Sequence, residues 1–381
     1  MKGDKYSYHY ILIVFILFFC AQSLQAQTVQ KAFKDTLDDA FDISNYLYNL
    51  HGLLPIASPI TEPAVGYGAA AALVYFIPKK TDSADNKFRM PDIVGLAGGY
   101  TENGTWFAGG GYIGFWKKDH VRYRGVLGYG NIRLSYYGEG GSLLEKHPMK
   151  FSLNSLFFLQ QAIFRIGESK FLLGGRYQFG RAKVSVFEES FLPFIKPRDH
   201  DLTNSALGLI GEYESFNNVL SPSKGLRVNL TYDQYLEIIG SDLNYSRLLL
   251  FGIYYQPISR FWTAGFRLES QLTGGETPFY MMPFLYMRGL PAMRYQGALT
   301  ALVETEQEFT FTKRWSLVGF GGYGQAFKSL DNLDKYTAAW NAGLGFRYRI
   351  ARLLGLKMGI DIARGPEQWA VYIVFGNSWM R

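Results

Sequence analysis

The stretch WNAGLGFRYRI, residues 340–350, alternates between two kinds of residue along its whole length. Trp340 and Leu344 fall on one face of an extended chain, whereas Asn341 and Arg347 fall on the other. A period of two predicts a β-strand with one apolar and one polar face. The same alternation recurs elsewhere in the chain, at residues 226–233 and 356–362.

The composition agrees with a chain built from strands and turns. Of the 381 residues, 48% are hydrophobic, 17% are aromatic and 42 are glycine, while the mean hydropathy of -0.05 is close to neutral. Aromatic residues and glycine favour strands and tight turns over helices. The formal net charge of +7 is spread along the chain rather than gathered into a basic run, so no nucleic-acid partner is predicted.

The N-terminus is typical of a secretory signal peptide. Lys2 and Lys5 precede an apolar run at residues 11–19, and a small residue follows at Ala26, so we predict a signal peptide over residues 1–26. A lipoprotein site at Cys20 is disfavoured because the bulky Phe19 precedes it. Cys20 is the only cysteine, so the exported chain is predicted to hold no disulfide.

Fifteen strands are predicted from residue 65 onward, and many are ten residues or longer. Long alternating strands, many aromatic residues and an export signal together predict a transmembrane β-barrel. Lipid offers no water to satisfy open edges, so such a sheet must close. A secreted sandwich or propeller is the soluble alternative, but no blade-length repeat is present. The predicted strands cover residues 65–77, 92–101, 105–116, 121–137, 150–166, 171–187, 202–215, 223–236, 245–258, 260–274, 298–312, 314–327, 337–350, 354–365 and 368–379.

Bacterial single-chain barrels have an even number of strands, so a sixteenth strand is predicted at residues 51–60. That stretch contains Pro55 and Pro59, which cannot donate to a ladder. It is therefore expected to pair weakly with the last strand, 368–379, which ends at Trp379. Pro55, Pro59 and Trp379 therefore mark a predicted seam between the first and the last strand. The alternative is that 51–60 is a linker and that a strand elsewhere has been missed.

A short segment over residues 27–50 precedes the predicted barrel, which covers residues 51–381. Phe33, Leu37 and Phe41 stand at helical spacing among acidic residues, which predicts a short amphipathic helix. We expect this periplasmic segment to lie on the membrane surface, to plug the lumen or to stay loose; the sequence leaves the three open.

The longest connection, residues 275–297, carries Arg288 in a turn before Gly289. On the strand that follows, Glu304, Glu306 and Glu308 share one face. Charges on a lipid-facing surface are costly, so this face is predicted to point inward. A loop long enough to fold back would bring Arg288 to these acids as a latch inside the lumen.

The sequence YMRGLPAMRYQG at residues 286–297, followed by ETEQEF at 304–309, resembles the sixth-loop motif and following strand of the bacterial surface antigen superfamily. These are outer-membrane barrels of the BamA/TamA type. LSPSKGLRVNLTY at 220–232 adds to the likeness, which covers roughly residues 50–381. The matching loop positions are Arg288, Gly289, Arg294, Tyr295, Gly297 and Glu306, with Leu290 in the aromatic place.

The resemblance implies an all-β fold, a sixteen-stranded transmembrane antiparallel β-barrel of the Gram-negative outer membrane. Its long sixth extracellular loop would fold into the lumen. Two departures stand out. Gly322 occupies a place where the family carries aspartate, so Arg288 is expected to rely on the glutamates alone. The predicted segment 27–50 is too short for a domain, so the periplasmic POTRA modules that receive clients in the family are not expected here.

Assembly or translocation of other proteins through the weak seam is the function that the resemblance implies. The alternative is a passive pore or a partner-binding scaffold, with a lumen lined by Arg176, Gln178, Arg347 and Arg349. No nucleophile with an adjacent base and no metal-ligand spacing is found, so no catalytic residue, metal or cofactor is predicted. Outer-membrane lipid is the expected partner, together with either other outer-membrane subunits or a second copy of the chain.

Overall fold

A computed structural model of the chain describes residues 33–48, 53–77, 79, 91–138, 144, 147–186, 198–218 and 220–379. Sixteen strands dominate it, together with one short helix, α1, and single 3-10 turns at Glu237–Ile239 and Phe279–Met281. The predicted signal peptide lies outside the described residues, as do residues 27–32 and 49–52. Helix α1 spans Ser44–Tyr48. The strands are β1 Leu53–Ile60, β2 Gly68–Ile77, β3 Asp92–Thr101, β4 Trp106–Trp116, β5 Val121–Tyr136, β6 Met149–Arg165, β7 Phe171–Val186, β8 Arg198–Glu214, β9 Gly225–Tyr235, β10 Tyr245–Pro257, β11 Trp262–Gly275, β12 Leu299–Thr310, β13 Trp315–Phe327, β14 Tyr336–Ala351, β15 Leu356–Arg364 and β16 Trp369–Phe375.

The strands form one antiparallel sheet in sequence order, from β1 to β16. Every ladder joins neighbours in the chain, as when Ile56 of β1 faces Ala72 of β2. The predicted all-β fold with sixteen strands is confirmed, and so is the strand predicted at residues 51–60. Within the described ladder, the two end strands β1 and β16 are not paired with each other.

The faces of the sheet carry opposite chemistry. Large apolar side chains point outward and are exposed, for example Leu344 at 72% and Leu209 at 70%. Charged side chains point inward and are buried, for example Glu304 and Arg347. An apolar exterior around a charged interior is the pattern of a barrel whose surroundings are lipid.

None of the helices in the described ranges is long and apolar enough to cross a membrane.

Connections alternate between two rims of the barrel. We call the rim that holds the connections β2–β3, β4–β5 and so on the turn rim, and the opposite one the loop rim. The sixth connection of the loop rim joins β11 to β12 over residues 276–298, and we call it loop 6. The turn rim is predicted to face the periplasm.

The amphipathic helix predicted around Phe33, Leu37 and Phe41 is wrong. Lys34 and Phe41 form an isolated antiparallel bridge, and only α1 is helical in the described part of this segment. Phe33 stacks on Phe41 with ring centroids 6.0 Å apart, whereas Leu37 is 72% exposed. The apolar spacing fits a hairpin equally well, and the acidic residues between the aromatics decide where the segment binds.

Three aspartates attach this segment to the turn rim, in a group that we call the N-terminal clamp. Arg314, in the β12–β13 turn, donates to Asp35, Asp38 and Asp42, with 2.7 Å from its Nε to Asp38 Oδ2. Arg352, in the β14–β15 turn, also donates to Asp35. That hydrogen bond is the main cause that lowers the pKa of Asp35 from 3.8 to about 2. The stability that Asp35 contributes is therefore present above pH 4 or so and is lost as the pH falls through about 2.

Replacing Arg314 by alanine is expected to detach residues 33–48 from the rim. Three aspartates lose their shared donor, and hydrogen bonds to charged groups are individually strong. Amide hydrogen exchange of Asp35, Asp42 and Ile43 should accelerate by about tenfold or more. Lys313→Ala, which changes an exposed neighbour in the same turn, is the matched control and should leave these amides protected. Equal protection in the Arg314 variant would show that the clamp does not hold the segment.

Candidate functional site

Loop 6 packs inside the barrel through an apolar core. Leu285, Met287, Leu290 and Tyr295 are buried together with residues of β12, β13 and β14. Leu290, in the place where the family carries an aromatic residue, is 3% exposed. Burial of these side chains fixes the loop against the wall and positions the Arg288 turn over the acidic face of β12.

The Arg288 guanidinium lies between two carboxylates of the barrel wall. Its Nη2 is 3.0 Å from Glu306 Oε2 on β12, and its Nη1 donates to Asp361 Oδ2 on β15 over 2.5 Å. It also lies over the Phe320 ring of β13, 3.5 Å from the ring centroid. Burial opposes the charged form, but Glu306 and Asp361 outweigh it and raise the pKa of Arg288. Arg288 is therefore a buried cation, and it holds loop 6 to two strands at once.

The other two acids of the predicted site serve different cations. Glu304 accepts from Arg267 on β11 and, over 3.0 Å, from Asn341 on β14. Glu308 accepts from Lys357 over 2.6 Å. Among the described contacts, Arg288 therefore meets Glu306 alone of the three glutamates. The shared inward face is as predicted, but successive glutamates lie at different depths along β12.

The expectation that Arg288 relies on glutamates alone is wrong, because Asp361 supplies a second carboxylate. Gly322 has no room for one, since a Cβ added there would lie 2.5 Å from Cγ of Glu304. Asp361 is fully buried and also accepts from Arg347. The second carboxylate that binds Arg288 thus comes from β15 and not from β13, the strand that follows β12.

Two glycines of the loop 6 motif lie in close contact with the main chain of neighbouring segments. Gly289 has φ 89°, and a Cβ there would lie 2.9 Å from the backbone nitrogen of Gly365. Its N–H donates to the Tyr372 hydroxyl on β16 over 2.9 Å. A Cβ on Gly297 would lie 2.2 Å from the carbonyl oxygen of Phe327. Both positions exclude larger residues because the loop passes against other main-chain segments.

The remaining motif residues bind the β15–β16 connection. Arg294 donates to Glu367 over 3.2 Å, and the Tyr295 hydroxyl donates to the same carboxylate. Arg294 also lies over the Tyr137 ring, 4.6 Å from its centroid. The motif therefore ties loop 6 to its neighbours at the loop rim as well as in the lumen.

Trp379 does not belong to the predicted seam. Strand β16 ends at Phe375, and Gly376 at φ 68° turns the chain into the lumen. Trp379 is buried there against Tyr255, with ring centroids 5.9 Å apart. The run Gly376-Asn377-Ser378 breaks the alternation and is a turn signal, so the strand was predicted too long. Pro55 and Pro59 do lie on the end strand β1.

Sequence reasoning missed several members of the site: Arg267, Phe320, Asn341, Asp361 and Tyr372. Alternation had already placed Asn341 and Arg347 on the polar face of their strand. The missing information was strand register, which decides which inward residues share a level of the barrel. The register puts Arg347 opposite Gly359 and Gly345 opposite Asp361, so that Arg347 and Asp361 lie on a diagonal.

Glu62, in the β1–β2 connection, reaches across the open edge of the sheet. The backbone N–H groups of Ala64 and Ala292, the latter in loop 6, lie close enough to its carboxylate to favour the ionised form. It lines a cavity of about 240 Å³ together with Tyr286, Arg288 and Tyr372. Burial raises the pKa of Glu62 from 4.5 to about 7. This contact joins the β1 side of the edge to loop 6 and β16.

Arg288→Ala is expected to destabilise the barrel by about 3–5 kcal/mol, because Asp361 and Glu306 lose a cation while remaining buried. Urea unfolding of the protein in lipid vesicles measures the effect. Arg181→Ala is the control, since its pair with Asp201 spans 3.9 Å and both side chains are more than half exposed. That change should cost less than about 1 kcal/mol. Similar losses in the two variants would contradict a special role for the Arg288 pair.

The Glu62 contact should weaken as the pH rises. A raised pKa means that ionisation is harder in the folded state, so the penalty is absent below pH 4.5 and complete above pH 7. Glu62→Gln is expected to remove this dependence, and at pH 8 to stabilise the contact by on the order of 2–3 kcal/mol. Hydrogen exchange of the Ala292 amide at pH 5.5 and 8, corrected for intrinsic rates, measures it. Identical pH profiles for the variant and the natural chain would rule the mechanism out.

No protein-family model and no curated protein matches the sequence. Among solved structures, BamA from Haemophilus ducreyi lacking POTRA domains 1–3 superposes with a TM-score of 0.59 and 13% identity, covering 92% of this chain and 81% of that one. CdiB from Escherichia coli superposes with a TM-score of 0.56 and 10% identity, covering 86% of this chain and 62% of that one. CdiB from Acinetobacter baumannii superposes with a TM-score of 0.51 and 10% identity, covering 85% of this chain and 59% of that one. This chain thus spans less than two thirds of either CdiB, and at such low identity the likeness concerns the fold. The chain has the fold of the BamA- and CdiB-type β-barrel.

Proposed function

We propose that this protein is an outer-membrane barrel that assists the insertion or translocation of other proteins through an opening between β1 and β16. One observation carries the proposal. The two end strands of the sheet are not paired with each other in the described ladder, although every other neighbouring pair is. The fold shared with BamA and CdiB and the loop 6 motif support the same function.

The open edge has the properties that strand exchange needs. β1 has eight residues and contains two prolines, and β16 has seven residues, whereas β6 and β8 have 17 each. Unpaired N–H and C=O groups facing lipid are costly. A strand of another protein can satisfy them by adding to the edge. The edge is thus a place where a client strand gains hydrogen bonds that this barrel does not supply to itself.

Loop 6 supports the β16 side of this edge. Arg288 fixes the loop to β15 through Asp361, and Gly289 donates to Tyr372 on β16 itself. β1 is linked to the loop through Glu62 at the loop rim. We therefore propose that β16 is the braced side of the opening and β1 the mobile one.

A passive pore receives less support. Of the residues predicted to line it, Arg176 donates to Asp233 over 2.7 Å, Gln178 to the Tyr235 hydroxyl over 2.8 Å, and Arg347 to Asp361. Cations held in ion pairs are poor sites for passing anions. We propose that the barrel is not an enzyme. Its proposed partners are outer-membrane lipid, client proteins, and either other outer-membrane subunits or a second copy.

Linking β1 to β16 should abolish activity if the edge works by opening. The assay is the folding rate of an unrelated outer-membrane barrel into liposomes that contain this protein. Cys20 lies in the predicted signal peptide, so introduced cysteines are the reactive thiols of the exported chain. We expect Ala57→Cys, bridged by a short bis-maleimide to Val371→Cys or Ile373→Cys, to reduce the rate to that of empty liposomes.

The control is a bridge between Ala57→Cys and Ala71→Cys, which face each other in the β1–β2 ladder. It adds the same reagent and leaves the β1–β16 edge free, so acceleration should persist. Acceleration that survives the β1–β16 bridge would disprove opening at this edge. An unlinked protein that gives no acceleration would favour the pore or scaffold, which single-channel conductance then separates.

A further inference from the structure

One side of the lumen is apolar, unlike the ion-paired side that binds loop 6. The register of the ladders places small and aliphatic residues of β2–β5 on the inward face, level with one another. The interior of a membrane barrel is normally polar, so this surface, which we call the apolar wall, needs an explanation. Its residues are Ala72, Val74, Ile93, Gly95, Ala97, Gly109, Gly111, Ile113, Val126 and Gly128.

The apolar wall borders a cavity of about 600 Å³. That volume lies within the range of roughly 300–1,000 Å³ found for small-molecule sites. Glycines create part of the space. A Cβ added at Gly95 would lie 3.7 Å from its nearest neighbour and one at Gly128 would lie 3.9 Å away, so both positions have room for a side chain.

Arg124 stands at the end of the apolar wall towards the turn rim. Its cross-strand neighbours are Ile113 on the apolar side and Gln161 on the polar side. Within the described part of the chain, Arg124 makes no hydrogen bond and has no carboxylate within ion-pair distance. Glu212 is its nearby anion but is already engaged, accepting from Arg122 over 3.3 Å and from Arg227 over 3.0 Å.

The charges around Arg124 do not balance. Every other arginine of the surrounding network has a carboxylate partner: Arg122 binds Asp119, Glu212 and Glu214; Arg165 binds Asp119; Arg176 binds Asp233; and Arg227 binds Glu212. Five arginines thus share four carboxylates. The excess positive charge falls on Arg124, where the apolar wall ends.

We propose that the apolar wall binds the acyl chain of a fatty acid and that Arg124 binds its carboxylate. A guanidinium accepts a carboxylate with two parallel hydrogen bonds, which matches the missing partner. An acyl chain needs no hydrogen bonds, whereas a peptide on this wall would bury polar groups without partners. The single cavity suits one chain rather than the two of a phospholipid.

This inference does not rest on the proposed function. The cavity is bordered by β2–β6, which are paired in continuous ladders, and the β1–β16 edge forms none of its lining. Loss of fatty-acid binding and loss of insertion activity are therefore separate outcomes.

The test is photolabelling of the full protein in phosphatidylcholine nanodiscs with palmitic acid that carries a diazirine on its chain. Mass spectrometry should locate adducts on the inward residues of β2–β6, and unlabelled palmitate should compete. Arg124→Gln is expected to weaken labelling about tenfold, the loss typical of one charged hydrogen-bonding partner. Arg124→Lys, which keeps the charge, should lose less.

Gly128→Leu should block labelling by filling the cavity. Its matched control is Gly319→Leu, because Gly319 faces Leu344 on the outer side of the barrel and also has room for a side chain. Heat-modifiable migration on gels verifies that each variant is folded. Labelling unchanged by Arg124→Gln and Gly128→Leu, or confined to outward residues, would overturn the proposal.

Two further probes decide the chemistry and the source of the ligand. Diazirine-labelled hexadecanol, which lacks the charge, should label the wall weakly and equally in the natural chain and the Arg124→Gln variant. Diazirine-labelled phosphatidylglycerol should not label the wall. Stronger labelling by the phospholipid than by palmitate would overturn the fatty-acid assignment in favour of a two-chain lipid.

Discussion

The buried carboxylate of Asp361 joins loop 6 to the inner wall of the barrel. It accepts from Arg288 of loop 6 and from Arg347 of β14, while Arg288 also contacts Glu306, which in turn accepts from Ser378 over 2.9 Å. A buried charge that loses its partner costs several kcal/mol, so these groups are stable only as a set. Through that set loop 6, the three wall strands β12, β14 and β15 and the C-terminal tail each depend on the placement of the others.

The ion pairs also make the two halves of the barrel unlike. β11–β16 carry buried charges, loop 6 and the tail on their inner face. β2–β5 carry mainly glycine, alanine and aliphatic residues there, and Arg122 and Arg124 lie towards the turn rim. A wall of small side chains makes fewer contacts and resists deformation less than a wall locked by side-chain networks. The edge between β1 and β16 therefore separates the more deformable wall of β2–β5 from the more rigid wall of β11–β16.

Much of the sheet was predictable from alternation, because the period of two persists wherever one face meets charges and the other meets apolar surroundings. β3 begins and ends at the predicted residues, and the inward face of Glu304, Glu306 and Glu308 was correct. Alternation shows which face of a strand a residue occupies, but not its height along the barrel axis, which is set by the strand register. For this reason Glu304 and Glu308 were predicted as partners of Arg288 but bind Arg267 and Lys357, and Asp361 was not predicted as a partner of Arg288. The helix expected near Phe33 failed for a related reason, since spacing cannot show that nearby aspartates meet two arginines from distant turns.

The N-terminal clamp has a geometric consequence for the open edge. Ser44 accepts from the backbone of Leu353 over 3.0 Å, so α1 is docked on the β14–β15 turn. Five peptide steps separate Tyr48 from Leu53 at the start of β1, a tether of at most about 18 Å. While the clamp holds, the turn-rim end of β1 stays within that radius, and its loop-rim end is held against loop 6 by Glu62. The two ends of β1 are thus held by two different contacts, so separating β1 from β16 along its whole length requires the release of both the N-terminal clamp and the Glu62 contact.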